Sequence, residues 1–261
     1  MTADAGVLAG KVAIVTGGGK GVGAGIALAL AAEGAKVVIA ARSEEKGAPA
    51  VEEITRRGGE AITVVCNVAN PEDVESTVAA TVDAYGTIDI LVNNANVAPY
   101  GTLLEVTDKA FDLGWRIGPL AVTRFMRACH PYLKRADGER DGGVILNLTS
   151  GSMLRSDSVG LGAYAATKAA ISSLTRAAAV EWGPDGIRAV NLMPFSASVG
   201  MDWWKEHDPD AYANVLAEVP LGRIGDPEAD IGRAAVWLCS SDASYITGTT
   251  LVIDGGQVYL R

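Results

Sequence analysis

Hydrophobic residues follow two alternating patterns along this chain. Short runs of apolar and β-branched residues recur, and segments in which apolar residues return at helical spacing separate them. Near-continuous apolar strands that alternate with helices are typical of a parallel sheet covered on both faces. The pattern predicts seven strands, over residues 12–16, 37–41, 62–66, 88–93, 144–149, 187–192 and 250–253.

The helices predicted between these strands cover residues 24–33, 71–85, 111–134 and 164–182. The second of them has the clearest start, because Asn70 is a good capping residue and Pro71 suits the first helical position. Strands that alternate with helices predict an α/β fold with a doubly wound parallel sheet. Folds of this type bind their ligands beyond the carboxyl ends of the strands.

The chain has 261 residues and shows neither a linker of biased composition nor an internal repeat, which predicts one domain. Residues 1–10 precede the first strand and are expected to form a short N-terminal extension without the features of a secretory signal. No stretch approaches the roughly 18 consecutive apolar residues of a membrane-spanning helix. Three scattered cysteines are typical of a reducing compartment, so we expect a cytoplasmic protein.

Net charge and histidine content narrow the function. A formal charge of −9 argues against a nucleic-acid partner, which requires a basic face. With two histidines in the chain, a histidine-based zinc site or a Ser/His triad is not expected. The predicted partner is therefore a small molecule, and any phosphate group on it must be held by local donors.

Tyr164 and Lys168 form the most informative pair of residues. Side chains four residues apart lie on one face of a helix, so the phenol and the ammonium group can share a pocket. A free tyrosine has a pKa near ~10, and a neighbouring cation lowers it towards the range of a general acid or base.

A glycine-rich turn, from Thr16 to Gly23, joins the first strand to the first helix. Glycines at such a turn allow backbone N–H groups to approach a pyrophosphate at the helix N-terminus. The dinucleotide fingerprint fits as Gly19-x-Gly21-x-x-Ala24, although so many glycines leave its register open. The position of the turn favours a nucleotide site over an ordinary turn.

Two cations indicate which dinucleotide binds. The second strand ends in Ala41-Arg42, where an NAD-binding unit usually carries an acidic residue for the ribose 2′-hydroxyl. Lys20 lies within the glycine-rich turn, and arginine can hold a 2′-phosphate through two hydrogen bonds. NADP(H) is therefore favoured, with NAD(H) as the alternative because Glu44 or Glu45 could reach a hydroxyl group.

Further motifs occur in order along the chain: Thr16-Gly17-x-x-x-Gly21-x-Gly23, Asn93-Asn94-Ala95, Ser150, Tyr164-x-x-x-Lys168, Asn191-x-x-Pro194 and Asp254-Gly255-Gly256. Their order and spacing resemble the short-chain dehydrogenase/reductase family from about residue 11 to residue 256. The resemblance implies a single Rossmann-type domain and an NAD(P)-dependent oxidoreductase acting on a carbonyl group or a secondary alcohol. It also implies a homodimer or homotetramer formed through the helices over 111–134 and 164–182.

The resemblance also implies roles for particular residues. Tyr164 would exchange a proton with the substrate oxygen, and Lys168 would tune the phenol and bind the nicotinamide ribose. Ser150 would hold the substrate oxygen, with Ser152 as a rival because the usual family spacing before the tyrosine is one residue shorter. The implied cofactor contacts are Gly17, Gly19, Lys20, Gly21, Val22, Arg42, Asn67, Val68, Asn94, Ala95, Tyr164, Lys168, Pro194 and Ala197.

The chain departs from the family pattern at Asn67, Asn96, Gly118, Phe195 and Val199. Asn67 replaces an acidic residue that meets the adenine amine, and its amide oxygen can accept the same hydrogen bond. Asn96 replaces a glycine, and asparagine is the next most tolerant residue for a positive φ.

Gly118 is the most consequential departure, because the family usually has an asparagine there that supports a water relay to the lysine. Pro119 beside it must disrupt the helix by removing an N–H group and crowding the carbonyl of Trp115. One hypothesis is that carbonyl groups freed by this kink hold the relay water. The alternative is that the relay is absent.

The segment over residues 196–220 lies where this family places a substrate lid. Its Met201, Trp203, Trp204 and Tyr212 either line an apolar pocket or pack a lid helix or subunit contact. An apolar alcohol or ketone is favoured, without a choice among steroid, terpenoid, fatty acyl and aromatic compounds. Two other functions stay open: a cofactor-binding regulatory or scaffold protein, and a lyase or epimerase on the same fold.

Overall fold

The computed structural model describes residues 6–134, 142–155, 159–197, 201 and 205–258. Parallel strands form one seven-stranded sheet in the order β3-β2-β1-β4-β5-β6-β7. The order reverses between β1 and β4, so a crevice opens at the carboxyl ends of these two strands. The strands are β1 (Val12–Thr16), β2 (Lys36–Ala41), β3 (Glu60–Val65), β4 (Ile90–Asn93), β5 (Val144–Leu148), β6 (Arg188–Pro194) and β7 (Thr250–Ile253).

All of the predicted strands are confirmed, and their ends differ from the prediction by no more than two residues. Helices connect the strands on both faces of the sheet. They are α1 (Gly21–Ala32), α2 (Glu44–Arg56), α3 (Pro71–Tyr85), α4 (Asp108–Trp115), α5 (Ala121–Leu133), α6 (Gly162–Trp182), α7 (Pro209–Ala217) and α8 (Arg233–Cys239).

Helix α3 has the predicted bounds and the predicted cap, because the Asn70 side chain accepts a hydrogen bond from the backbone N–H of Glu72. Helix α2 was not predicted, since Gly47 and Pro49 interrupt its helical pattern. Packing of α2 against the sheet compensates for its weak local tendency to form a helix. Gly47 lies directly against the side chain of Thr63 on β3, where a larger residue would not fit.

Side chains along each strand alternate between two buried cores. On β1, Ala13 and Val15 face the core formed with α1, α2 and α8, whereas Ile14 faces the core formed with α3, α5 and α6. Burial on both faces explains why the strands read as continuous apolar runs.

Residues 6–10 pack against the end of α1. Leu8 is 1% exposed, and its backbone N–H donates to the carbonyl oxygen of Glu33 at 2.9 Å. The described part of the N-terminal extension is therefore joined to the domain. Within the described ranges, no helix combines the length and the apolar character needed to cross a membrane.

Candidate active site

The glycine-rich turn lies in the crevice between the carboxyl ends of β1 and β4. Gly17 and Gly21 have φ angles of 64° and 55°, which glycine adopts without steric cost. A Cβ atom on Gly17 would come within 3.1 Å of the Ala95 Cα, and one on Gly19 would overlap the carbonyl oxygen of Lys46. Close packing on two sides therefore determines the path of the turn.

The space beside Gly21 is open, because a Cβ atom there would meet nothing within 4 Å. Lys20 occupies the N-cap position of α1 and makes no side-chain capping hydrogen bond. The first N–H groups of the helix are thus available to an anion. A pyrophosphate group fits this cradle, and Val22 lies half-buried on the first turn of the same helix.

Asn94 joins this turn to β4. Its Nδ2 donates to the carbonyl oxygens of Thr16, at 2.9 Å, and Gly17, at 3.1 Å. The backbone N–H groups of Asn94 and Ala95 both donate to Thr16 Oγ1 at 3.0 Å. Asn96 has a negative φ, so the turn does not need a glycine there.

Lys20 and Arg42, the two cations predicted to favour NADP(H), both lie beyond the carboxyl ends of strands. Lys20 and Arg42 are exposed and follow β1 and β2, which are neighbours. A hydrogen bond from the Ser43 hydroxyl holds the pKa of Glu45 below its usual value. Glu45 is itself exposed in the first turn of α2.

The remaining predicted cofactor contacts follow β3 and β6. Val68 is buried and lines a small cavity with Ala95. Asn67 is exposed, and its Oδ1 accepts a hydrogen bond from Ala69 at 3.2 Å, which leaves one lone pair for a ligand. Pro194 ends β6, and Ala197 follows it with its N–H bonded to Gly225.

Ser150 lies two residues beyond β5 and caps the 3₁₀ helix Gly151–Met153. Its Oγ accepts hydrogen bonds from the Ser152 N–H, at 3.3 Å, and from the Ser152 hydroxyl, at 3.1 Å. The Ser150 hydroxyl also acts on Tyr164, because its hydrogen-bonding contribution lowers the pKa of the phenol. Ser152, the rival candidate, therefore contacts Ser150 directly.

Lys168 lies one helical turn beyond Tyr164 and is 3% exposed. Its Nζ is 5.5 Å from the centroid of the Tyr164 ring and donates to the carbonyl oxygen of Leu148 at 2.7 Å. Burial lowers the pKa of Lys168 to about 8, because an apolar environment disfavours the charged form.

Burial also raises the pKa of the Tyr164 phenol, and the hydrogen bond from Ser150 opposes this shift only in part. The expectation from the Tyr-Lys spacing, a lowered pKa, is therefore wrong for the protein without its ligands. Loss of solvation outweighs the nearby cation. A phenol that keeps its proton at neutral pH is suited to act as an acid.

The helix predicted over residues 111–134 is interrupted by the π-helical segment Arg116–Leu120. Pro119 cannot donate to the preceding turn, and Gly118 leaves the helical conformation with φ −86° and ψ −108°. A Cβ atom on Gly118 would lie 3.5 Å from the Thr167 Cβ. The predicted disruption of the helix is confirmed. The π-helical segment lies against α6 at Thr167, the residue before Lys168.

The segment predicted to form a substrate lid, residues 196–220, is described in part. Val199, Trp203 and Trp204 lie outside the described residues, whereas Met201 is buried and Tyr212 lies half-buried on α7. An ion pair of 2.8 Å between Arg155 and Glu218 joins the loop that follows Ser150 to the C-terminal end of this segment.

The cradle and the Ser150–Tyr164–Lys168 cluster lie at the same carboxyl edge of the sheet, on either side of β4. Doubly wound folds bind a dinucleotide across this edge, which brings its far end towards the phenol. The class of protein defined by this arrangement is a dinucleotide-dependent oxidoreductase.

Comparison with known proteins identifies the family. The family model described as Enoyl-(Acyl carrier protein) reductase matches residues 17–257. The chain is 40% identical to a 12α-hydroxysteroid dehydrogenase of Clostridium sp. (strain ATCC 29733 / VPI C48-50), over 97% of this chain and 98% of that protein. The chain belongs to the short-chain dehydrogenase/reductase family and is an oxidoreductase of the NAD(P)-using type.

Other relatives agree with this assignment. The chain is 36% identical to 3β-hydroxysteroid dehydrogenase 1 of Eggerthella lenta, over 96% of this chain and 94% of that protein. A solved 7α-hydroxysteroid dehydrogenase, complexed with NADH and 7-oxo glycochenodeoxycholic acid, is similar in structure with a TM-score of 0.89. It is 30% identical, and the match covers 99% of this chain and 98% of that one.

Lys168→Met removes the buried charge and nearly keeps the volume. A pKa lowered from 10.5 to about 8 measures the cost of burying the ammonium group, at ~1.4 kcal/mol per pKa unit. After the lost hydrogen bond to Leu148 is subtracted, we expect the free energy of unfolding to rise by ~2 kcal/mol at pH 7. Between about pH 8 and pH 10.5 the unfolded wild type binds more protons than the folded wild type. The free energy of unfolding of the wild type therefore rises with pH, and the difference in stability between the variant and the wild type becomes smaller.

Urea unfolding at pH 7 and pH 10 measures both effects. Lys109→Met, at an exposed position of α4, is the matched control and should change stability by less than ~0.5 kcal/mol. A Lys168→Met protein that is less stable than the wild type at pH 7 would contradict the prediction.

Gly118→Asn tests the hypothesis that carbonyl groups of the π-helical segment hold a relay water. The added Cβ would make only ordinary contacts with Thr167 and Ile171, so the first atom of the side chain fits. Because this relay does not depend on residue 118, we expect kcat in steady-state assays to change by less than ~3-fold. A gain of ~10-fold or more would show instead that a missing relay limits turnover.

Proposed function

We propose that this protein is an NADP(H)-dependent hydroxysteroid dehydrogenase, which interconverts a ring hydroxyl group and a ketone on a steroid. The observation that carries the proposal is the buried Lys168 ammonium group, which lies 5.5 Å from the centroid of the Tyr164 ring, beside a Ser150 hydroxyl that lowers the pKa of the same phenol. This cluster occurs in a chain whose relatives include dehydrogenases for the 12α and 3β positions of steroids.

Each residue of the cluster has a role in the proposed reaction. The bound nicotinamide cofactor supplies or accepts the hydride. In the reducing direction Tyr164 donates its proton to the carbonyl oxygen, and the raised pKa of its phenol keeps that proton in place at neutral pH. Ser150 donates a hydrogen bond to the same oxygen, and the Lys168 ammonium stabilises the phenolate that remains.

Charge at the adenosine end supports NADP(H) over NAD(H). Lys20 and Arg42 are exposed at the edge where the adenosine ribose of a dinucleotide lies in this fold. Arg42 can hold a 2′-phosphate through two hydrogen bonds.

An exposed apolar rim supports a large apolar substrate. The Tyr100 ring lies against Gly160 and the Leu103 side chain against Gly162, so the rim borders the first turn of the helix that carries Tyr164. A contiguous apolar surface at such a place marks a binding site. The rim consists of Tyr100, Leu103 and Leu104 after β4 and Val159 after β5, whose exposed fractions are 75%, 81%, 100% and 78%.

Self-association into a homodimer or homotetramer is part of the proposal. Small side chains are exposed along α6, and Phe111 and Trp115 are exposed on α4, at 42% and 43%. Small residues beside aromatic ones allow a helix of a second copy to approach closely and bury apolar area. The exposed small residues of α6 are Ala166, Ala169, Ser173 and Ala177.

Tyr164→Phe tests the reaction. The wild type should oxidise NADPH with at least one of the 3-, 7- and 12-oxo steroids in an absorbance assay. The variant should lose kcat by ~100-fold or more, because the proton donor is gone. Its Kd for NADPH, from fluorescence titration, should stay within ~2-fold of the wild type, and Tyr132→Phe, on the exposed side of α5, should keep full activity.

Three outcomes would contradict the proposed function. Unchanged activity in Tyr164→Phe would favour a regulatory or scaffold protein. NADPH binding without net consumption would favour a lyase or epimerase. Reduction of an enoyl thioester but of no ketosteroid would show that the substrate class is wrong.

Arg42→Ala tests the choice of cofactor. Losing a charge-assisted bidentate bond should weaken NADPH binding by ~10- to 100-fold and leave NADH binding within ~2-fold. Arg56→Ala, at an exposed position of α2 that is paired with Glu53, is the control and should change neither. A wild type that prefers NADH would overturn the assignment and point to Glu44 or Glu45.

A further inference from the structure

A row of polar side chains crosses the sheet beneath the candidate active site. Asn93 on β4 pairs with Asn147 on β5, which pairs with Asn191 on β6, which pairs with Thr250 on β7. The three asparagines are 5%, 0% and 0% exposed. They lie on the face of the sheet that α3, α5 and α6 cover, because Ile145, two residues before Asn147, belongs to that core.

Hydrogen bonds connect this row to the helix that carries Tyr164 and Lys168. Every amide or hydroxyl group in the series donates to the next one, and bonds aligned in this way polarise and strengthen one another. The donors and acceptors run from Asn93 Nδ2 to Asn147 Oδ1 at 2.8 Å, Asn147 Nδ2 to Thr175 Oγ1 at 2.8 Å, Thr175 Oγ1 to Asn191 Oδ1 at 2.6 Å, and Asn191 Nδ2 to Ser172 Oγ at 3.1 Å and Thr250 Oγ1 at 3.2 Å.

Hydrogen bonds define the position of a helix along its own axis more strictly than apolar contacts do, because they depend on both distance and direction. A slip of α6 along its axis by ~1.5 Å, the rise of one residue, would disturb its apolar packing. The same slip would leave Asn147, Thr175 and Asn191 with unsatisfied polar groups in a buried environment, which is costly. The hydrogen-bonded row is therefore specific for one register of the helix.

We propose that Asn147, Thr175 and Asn191 are positioning residues, which set the register of α6 and thereby the placement of Tyr164 and Lys168 relative to Ser150. Ser150 follows β5, the strand that carries Asn147, and the Lys168 ammonium bonds to Leu148, the next residue of that strand. Asn93 extends the row to β4, directly before the Asn94 turn of the cofactor cradle. The inference rests on the proposed function for its kinetic test.

Thr175→Val gives the sharpest test, because valine has nearly the same shape and lacks the hydroxyl group. Thr81→Val is a matched control. Thr81 and Thr175 are both 0% exposed, and each hydroxyl lies within hydrogen-bonding distance of the carbonyl oxygen four residues earlier, at 2.8 Å and 2.9 Å. Both substitutions remove that local contact, but Thr175→Val alone also interrupts the row.

We expect Thr175→Val to lower kcat by ~10-fold, because small misplacements of reacting groups are costly. The KM for the steroid and the Kd for NADPH should stay within ~2-fold of the wild type, and Thr175→Ser, which keeps the hydroxyl, should restore kcat. Displacement of α6 also weakens the bond from Lys168 to Leu148, so the pKa of Lys168, measured by NMR, should fall by ~0.5 unit or more. Thr81→Val should change none of these quantities.

An unchanged kcat and an unchanged Lys168 pKa in Thr175→Val would overturn the proposal, and so would equal changes in Thr81→Val. If the wild type reduces no ketosteroid, the proposed function fails, and the Lys168 pKa still decides the positioning role. Should Thr175→Val not fold, Asn147→Ser carries the same test, because its shorter side chain does not reach Thr175.

Discussion

The buried ammonium group of Lys168 is the interaction on which the rest of this site depends. It is almost fully enclosed and bonded to the Leu148 carbonyl, so α6 and β5 must lie in one fixed relation. That relation also brings Tyr164, one turn earlier on α6, to Ser150, two residues beyond β5. Burying a charge is unfavourable, and for this reason the pKa of Lys168 is lowered to about 8. The two apolar cores on either side of the sheet provide the stability that offsets this cost.

The same edge of the sheet joins the two halves of the site. The turn after β1 and the turn after β4 are linked through Thr16 and Asn94, and glycines let them approach each other closely. β4 lies between this cradle and the Tyr164 helix, and the asparagine row starts from its last residue. The cradle at α1 and the Tyr164 phenol on α6 are thus both attached to β4, which fixes their positions relative to each other.

Local sequence predicted the strands and the start of α3 well, because strand burial and helix capping are read from neighbouring residues. Asn70 and Pro71 mark a helix start whatever lies around them. Helix α2 was not predicted because Gly47 and Pro49 weaken its helical pattern. The contact of Gly47 with Thr63 on β3 compensates for this weak local tendency. The interruption at Gly118 and Pro119 was predicted because a missing N–H group acts locally.

By itself the sequence determined the sheet, the glycine-rich turn and the Tyr164–Lys168 pair, since each depends on residues close together in the chain. Tertiary structure decided what depends on distant neighbours. It joined Ser152 to Ser150 by hydrogen bonds, and it raised the pKa of Tyr164 where the spacing alone predicted a fall. It also revealed the bonds among Asn147, Thr175 and Asn191. Desolvation and hydrogen bonding between elements far apart in sequence exist only once the chain has folded.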